Sequence, residues 1–127
     1  MHRSRLSTIL IDCDEGDFER SIDFWSAALG SEPVQREGRY VPLRGRIGGD
    51  GGPIVLLQRV PADERAVHLD LEADDVEAEV ARLERLGARV KRRHDPWVVM
   101  EAPSGHAFCV VPARRDDFET HAAEWDD

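Results

Sequence analysis

One pattern is written twice along this chain, and it constrains the fold more than any single motif does. Residues 6–13, LSTILIDC, alternate as a strand does, with Ile9, Ile11 and Cys13 on one face. Phe18, Ile22, Trp25 and Leu29 follow at helical spacing, and Gly30 stops the helix. Short strands are expected at residues 34–36, 39–43 and 54–60, with GRIGGDGGP as a flexible turn before the last and residues 61–65 as a linker. Then the order begins again. Residues 67–73 read as a strand, and Asp74 or Asp75 caps a helix with apolar positions Val76, Val80, Leu83 and Leu86. Gly87 closes that helix, and strands are expected near residues 89–92, 97–101 and 107–111. Pro103-Ser104-Gly105 makes a tight turn between the last two. The two helices end on the same dipeptide, Leu29-Gly30 and Leu86-Gly87. A unit of strand, helix and three strands, used twice, is an α+β design. The tail spaces Phe118, Ala122 and Trp125 as a short helix docking by its aromatic side.

With 127 residues the chain suits a single domain, module one at about 5–60, module two at about 66–112 and the tail at 113–127. Its 26 acidic against 17 basic side chains give a net charge of −9, a field that repels nucleic acid and anionic lipid. The run Arg89-Val90-Lys91-Arg92-Arg93 is read as a solvated strand end. No apolar run approaches the roughly 20 residues of a membrane span, and the first residues read as a strand rather than a leader. Cys13 and Cys109 form no spacing motif, which fits a reduced, cytosolic protein in which both are small buried hydrophobes. The glycine-rich turn lacks the lysine and hydroxyl residue of a phosphate loop, so it receives no phosphate role.

The stretch VHLDLEADD carries a histidine and two carboxylates, His68, Asp70 and Glu72, on one strand face, against Val67, Leu69 and Leu71 on the other. Taken with Phe24-Trp25, Leu29-Gly30 and WVVMEAPSGHAFCVV, the chain resembles the vicinal-oxygen-chelate superfamily from Leu6 to about Pro112. That superfamily includes glyoxalase I, bleomycin-resistance proteins, fosfomycin-resistance enzymes and extradiol dioxygenases; the short glyoxalase-like proteins are the nearest likeness. The resemblance implies two paired βαβββ modules whose curved mixed sheets surround a cavity. It also implies that Val67, Leu69 and Leu71 lie under a helix, as Ile9, Ile11 and Cys13 do. Thr8, Leu10 and Asp12, with His68, Asp70 and Glu72, would face the cavity.

Carried onto this sequence, the ligand points of metal-dependent members fall at Thr8, Gln58, His68 and Cys109. Only His68 matches the usual occupants. A hard divalent cation wants several anionic or strongly basic donors, and zinc normally takes three from histidine, cysteine or carboxylate. Asp70 lies about 6.6 Å along the strand from His68 and cannot simply substitute. A divalent metal at His68 is therefore disfavoured and no metal ligand is assigned, while a water-filled site using His68, Asp70 and Cys109 stays open. His68 is the acid/base candidate, with Asp70 able to hold its ring. Glu72, near the strand end, is expected to be solvated. Asp12 lines the pocket or caps the turn after it. Trp97 offers a wall for a flat ligand. Cys109 shows no activating partner. Trp25 belongs to the core, and His106 to the surface.

The resemblance then implies a cytosolic small-molecule-binding protein, a homodimer as superfamily members often are. If it has an activity, a lyase or isomerase reaction by proton transfer next to a carbonyl fits, with His68 as catalyst. The pocket lining would be Thr8, Leu10, Asp12, Gln58, Asp70, Trp97 and Cys109. Two rivals differ in class: a non-catalytic protein of bleomycin-resistance type that sequesters a cationic drug, and a structural or regulatory dimer with a vestigial pocket.

Overall fold

A computed structural model describes residues 1–127. The chain divides into two compact units, Thr8–His68 and Met1–Ser7 with Leu69–Asp127. Two strands, β1 (His2–Asp14) and β4 (Ala66–Ala73), run through both. No helix is long and apolar enough to cross a membrane.

In the unit Thr8–His68, β1 leads through a short turn into α1 (Phe18–Leu29), then β2 (Tyr40–Pro42) and β3 (Ile54–Val60). The turn forms because Asp14 accepts from the Gly16 amide at 2.9 Å. β1 pairs parallel with β3, and β2 pairs antiparallel with β3. Parallel pairing needs a crossover, which α1 and β2 provide. Ile9, Ile11 and Cys13 are partnered by Val55, Leu57 and Arg59. Ile11 and Cys13 pack with Phe18 and Ile22 of α1, together with Val41, Leu43 and Leu57. Each fully buried aliphatic side chain here contributes about 2 kcal/mol. Trp25 is only half-buried and packs against this cluster, with Phe24 edge-on to its ring at 5.0 Å. α1 ends at Gly30, whose φ of 64° is left-handed and needs no Cβ.

The expected strand at residues 34–36 does not form. A single bridge, Pro33 to Leu43, stands there, while the Gln35 side chain donates to the Tyr40 carbonyl at 3.0 Å and Arg36 reaches Glu19 and Asp23 on α1. Side-chain bonds there replace a ladder. The glycine-rich turn is also more ordered than its composition implies. Ile47 donates to the Pro53 carbonyl at 2.8 Å, Gly52 to Gly49 at 3.1 Å, and Arg46 Nη1 to the Gly52 carbonyl at 2.8 Å.

The second unit repeats the scheme: β4, α2 (Val76–Arg85), β5 (Arg89–His94), β6 (Trp97–Glu101) and β7 (Ala107–Pro112). β4 pairs parallel with β7, and β6 joins β7 to β5 antiparallel. Asp75 caps α2, accepting from the Ala78 amide at 3.0 Å. Ala73, Val80, Val98, Met100 and Val110 form the core. The mixed α+β class is the one the sequence pattern implies; after its helix the first unit has two strands where three were expected, and the second has all three.

Four expectations need correction. β1 begins at His2, not Leu6, because His2 and Ser4 are buried by polar partners rather than by hydrophobicity. The tail is helical only over Phe118–His121 (α3); Ala123–Trp125 is a strand, β8, paired with the start of β1. Trp125 lies over the Arg82 guanidinium at 3.8 Å and donates to Ser4 Oγ at 2.8 Å. Glu72 is buried, not solvated, since Arg5 Nε meets it at 2.6 Å. Val67 and Leu69 are 63% and 40% exposed, so no helix covers them.

The buried charges of this unit centre on Glu79, which is 0% exposed. It accepts from His2 at 2.8 Å, Ser4 at 2.7 Å and both arms of Arg82 at 2.8 and 2.9 Å. Burial alone would raise the Glu79 carboxyl, but these donors outweigh it and hold it below its ordinary value. The His2 ring also bonds Asp127 through Nδ1 at 2.5 Å. Burial alone would push that ring down; the Glu79 and Asp127 bonds win and hold its pKa up. Glu79→Ala should cost about 3–5 kcal/mol in urea unfolding, because His2 and Arg82 would lose their counter-charge. A raised histidine stabilises fully below its ordinary value, and that stability drains away as pH rises through the raised one. Wild-type Tm should therefore fall as pH rises above the ordinary histidine range, and His2→Gln should flatten that fall.

Candidate functional site

The face of the first unit's sheet opposite α1 carries a row of polar and titratable side chains. Alternation places Thr8, Leu10 and Asp12 there, opposite Ile54, Leu56 and Gln58 on β3. β2 continues the row, because Tyr40 is the ladder partner of Gln58. Tyr40, Gln58 and Asp12 thus stand side by side on three strands, and Gln58 Nε2 lies 3.5 Å from the Tyr40 hydroxyl.

β4 completes the row with His68, whose Nε2 is 3.1 Å from Asp12 Oδ2. Both side chains are largely shielded, 11% exposed for Asp12 and 22% for His68. The other oxygen, Asp12 Oδ1, is buried and has no hydrogen-bond partner. Burial pushes the Asp12 carboxyl up; His68 and the Arg39 guanidinium pull it back only in part. A buried acceptor left unpaired costs about 1–3 kcal/mol. An aspartate kept in that state is a candidate for a functional group.

Of the side chains expected to line a pocket, Thr8, Leu10, Asp12, Gln58 and His68 share this unit, with Thr8 and Leu10 buried. Asp70, Trp97 and Cys109 belong to the other unit. There Asp70 and Cys109 are partners across the β4–β7 ladder. Trp97, 39% exposed, stacks on His94 with centroids 5.1 Å apart and planes 18° off parallel. Asp12 does not cap the following turn; Asp14 does. Sequence reasoning missed Tyr40 and Arg39. The signal for Tyr40 was available in the register, since a β2–β3 hairpin sets it beside Gln58.

A family model for the glyoxalase-like domain matches residues 8–111. The chain belongs to that family. Several solved structures share its fold. The Mn(II)-bound glyoxalase of Novosphingobium aromaticivorans is 24% identical with a TM-score of 0.60; the alignment covers 91% of this chain but 43% of that one. Methylmalonyl-CoA epimerase of Streptomyces coelicolor, in complex with 2-nitronate-propionyl-CoA, is 20% identical over 86% of this chain and 94% of that one, at 0.58. An extradiol ring-cleaving dioxygenase from B. fuscum is 18% identical over 94% and 34%, at 0.60. The family match bears out the glyoxalase-like resemblance read from the sequence, and these structures share the fold. No protein of curated function matches.

Within the unit Thr8–His68, the donors at the ligand points that the sequence resemblance implies are a poor set for a hard divalent cation. Three of those points lie in this unit and hold a hydroxyl, an amide and an imidazole, Thr8, Gln58 and His68. Thr8 and Gln58 are neutral and weak, and His68 Nε2 already faces a carboxylate. Adding zinc, nickel or manganese should leave Tm within about 1 °C of the untreated protein. A rise that Cys109→Ser abolishes would instead reveal thiolate ligation. The raised Asp12 carboxyl has its own consequence. Its neutral form is favoured by folding, so the group costs stability once pH rises past it. Asp12→Asn should raise Tm at pH 7 by roughly 3 °C, and the gain should vanish below about pH 4, where both side chains are uncharged.

Proposed function

We propose that this domain binds a small organic carbonyl compound and moves a proton at the carbon beside the carbonyl. The observation that carries the reading is the Asp12–His68 pair with its inward, unpartnered Oδ1. A substrate C–H placed against Oδ1 would give its proton to that oxygen. The C–H electron pair passes to the carbonyl as an enolate, and the proton returns to the same or the neighbouring carbon. His68 on Oδ2 holds the carboxylate and shares the proton, which keeps it as the acid/base residue expected from the sequence. Burial of Asp12 suits this role, because a base works best when its pKa is lifted toward the working pH. The Gln58 amide, next in the row, is the group to hold the enolate oxygen. The same residues support lyase and isomerase outcomes alike.

A second reading has one observation in its favour. An unpartnered buried carboxylate oxygen in a chain of charge −9 also suits a cationic ligand held without chemistry. We further hold the protein to be a cytosolic homodimer. The half-exposed apolar side chains Phe24, Leu29 and Val34 support the dimer. The lack of any disulfide supports the compartment.

Deuterium uptake from D2O into small 2-substituted carbonyl compounds, followed by proton NMR, tests the leading reading. At least one compound should exchange, and Asp12→Asn and His68→Ala should each slow it by about a hundredfold or more. Exchange by no compound, or variants as fast as wild type, would overturn it. Thermal stabilisation by cationic drugs without any exchange would favour sequestration.

A further inference from the structure

The row opposite α1 holds one side chain that the proposed reaction leaves unused, Tyr40. β2 is the outermost strand on its side of the sheet, and Tyr40 stands at the open end of the row, 48% exposed. Its ladder partner is Gln58, whose own partner on the other side is Asp12. Strands lie about 4.8 Å apart, so roughly 10 Å separates the backbones of Tyr40 and Asp12, with Gln58 midway. We infer that Tyr40 is a further catalytic residue of this site: with Gln58 it forms a two-donor cradle for a singly charged oxygen on a planar carbon, the enolate of the proposed reaction or a phenolate that resembles one. For its chemistry the inference rests on the proton-transfer reading.

Three observations carry this. First, two donors are left over. Gln58 Nε2 donates to the Tyr40 hydroxyl at 3.5 Å, so that oxygen serves as acceptor and keeps its own hydrogen. A carboxamide nitrogen carries two hydrogens, so Gln58 keeps one as well. Neither side chain has another protein partner. The two heavy atoms are close enough for both hydrogens to reach one oxygen lying over Gln58. Second, the phenol is held in place. Val41 is buried in the core under α1, which turns Tyr40 to the other face. The Tyr40 carbonyl accepts from the Gln35 side chain at 3.0 Å, and the Arg39 carbonyl from the Arg59 amide at 2.9 Å. Donors fixed in this way need little reorganisation as charge develops, which is what lets them lower a barrier. Third, base and donors stand in the order the reaction needs. Asp12 Oδ1, buried and unpartnered, belongs to the strand next to Gln58. A carbonyl over Gln58 thus presents its neighbouring carbon to Asp12 and its oxygen to Gln58 and Tyr40. As the C–H bond breaks, the proton bonds to Oδ1, the C–H pair becomes a carbon–carbon double bond, and the C=O π pair moves onto oxygen. Both donors hold that charged oxygen more strongly than they held the carbonyl. Return of the proton restores the C–H and C=O bonds.

The test titrates para-nitrophenolate, an enolate-like oxyanion followed by its absorbance, into the full chain carrying Asp12→Asn, whose neutral amide stands for the protonated base. Nitrobenzene, the same ring without the oxyanion, is the control. The phenolate should bind about tenfold more tightly than nitrobenzene, and adding Tyr40→Phe should remove about that factor. The bound probe should ionise at a lower pH than the free one, and Tyr40→Phe should shrink the difference, a change that lost packing alone would not produce. Tyr40→Phe should leave Tm within about 1 °C, because it removes only a hydroxyl at the sheet's exposed edge. In the exchange assay Tyr40→Phe should slow the wild-type reaction by about tenfold or more, through kcat rather than KM. No phenolate binding, phenolate bound no better than nitrobenzene, equal phenolate affinity with and without the Tyr40 hydroxyl, or exchange undiminished in Tyr40→Phe would each overturn the inference; the last would leave proton transfer by Asp12 and His68 standing. Exchange by no compound would instead sink the proton-transfer reading, and phenolate binding alone would then decide the cradle.

Discussion

Period-two alternation along β1, locked by its parallel ladder with β3, is the constraint on which the first unit rests. The ladder sets Ile11 against Leu57 on the α1 side and Asp12 against Gln58 on the other. A one-residue slip would drive Asp12 in among Phe18 and Ile22 and turn Cys13 out. Hydrophobic burial under α1 therefore specifies the register, and the register puts Asp12 in the row with Gln58, Tyr40 and His68. Core and site are one decision. This explains how a short strand such as β2, three residues long, can contribute at all: Val41 is anchored in the core while Tyr40 faces the other way.

Much of this was legible in the amino-acid order, for identifiable reasons. Helices announce themselves by apolar spacing and glycine stops, and α1 ends at Leu29 as the pattern implies. β3 runs over Ile54–Val60 as read, since its apolar run lies between turn signals. What hydrophobic pattern does not mark is burial by polar pairing. His2, Ser4 and Glu72 are buried because carboxylates, a guanidinium and hydroxyls satisfy one another, and each partner lies scores of residues away in sequence. Alternation also says that two faces differ without saying which is covered. Val67 and Leu69 illustrate this: they alternate correctly with His68 and are exposed all the same. The covering element is a property of topology, and one strand's pattern does not contain it.

Composition misled at the glycine-rich turn for a related reason. Glycine lowers the cost of unusual backbone, and that freedom serves looseness or tight closure equally. Here it serves closure. The approach of Gly52 to the Ile47 carbonyl oxygen leaves no room for a Cβ, and successive backbone bonds hold the turn shut. Such a turn can act as a wall, which a floppy one could not.

The buried carboxylates of this fold differ in whether every oxygen finds a donor, and that difference is what supports the role proposed for Asp12. Glu79 is fully buried, yet every donor it needs is present, and its carboxyl is held low. Glu72 is buried and meets Arg5 at 2.6 Å and the Arg114 amide at 3.4 Å. Both are closed accounts of charge that tie strands and helix together. Asp12 is less buried than either but has one oxygen with no donor, and its carboxyl is pushed up rather than down. Were Asp12 there for stability, a hydroxyl or guanidinium opposite Oδ1 would serve, as it does at Glu72 and Glu79. A chain that satisfies its acids elsewhere and leaves this one open accepts a stability cost at one atom, and a ligand that donates to or protonates that atom recovers it. Depth of burial does not separate these residues; the missing donor does.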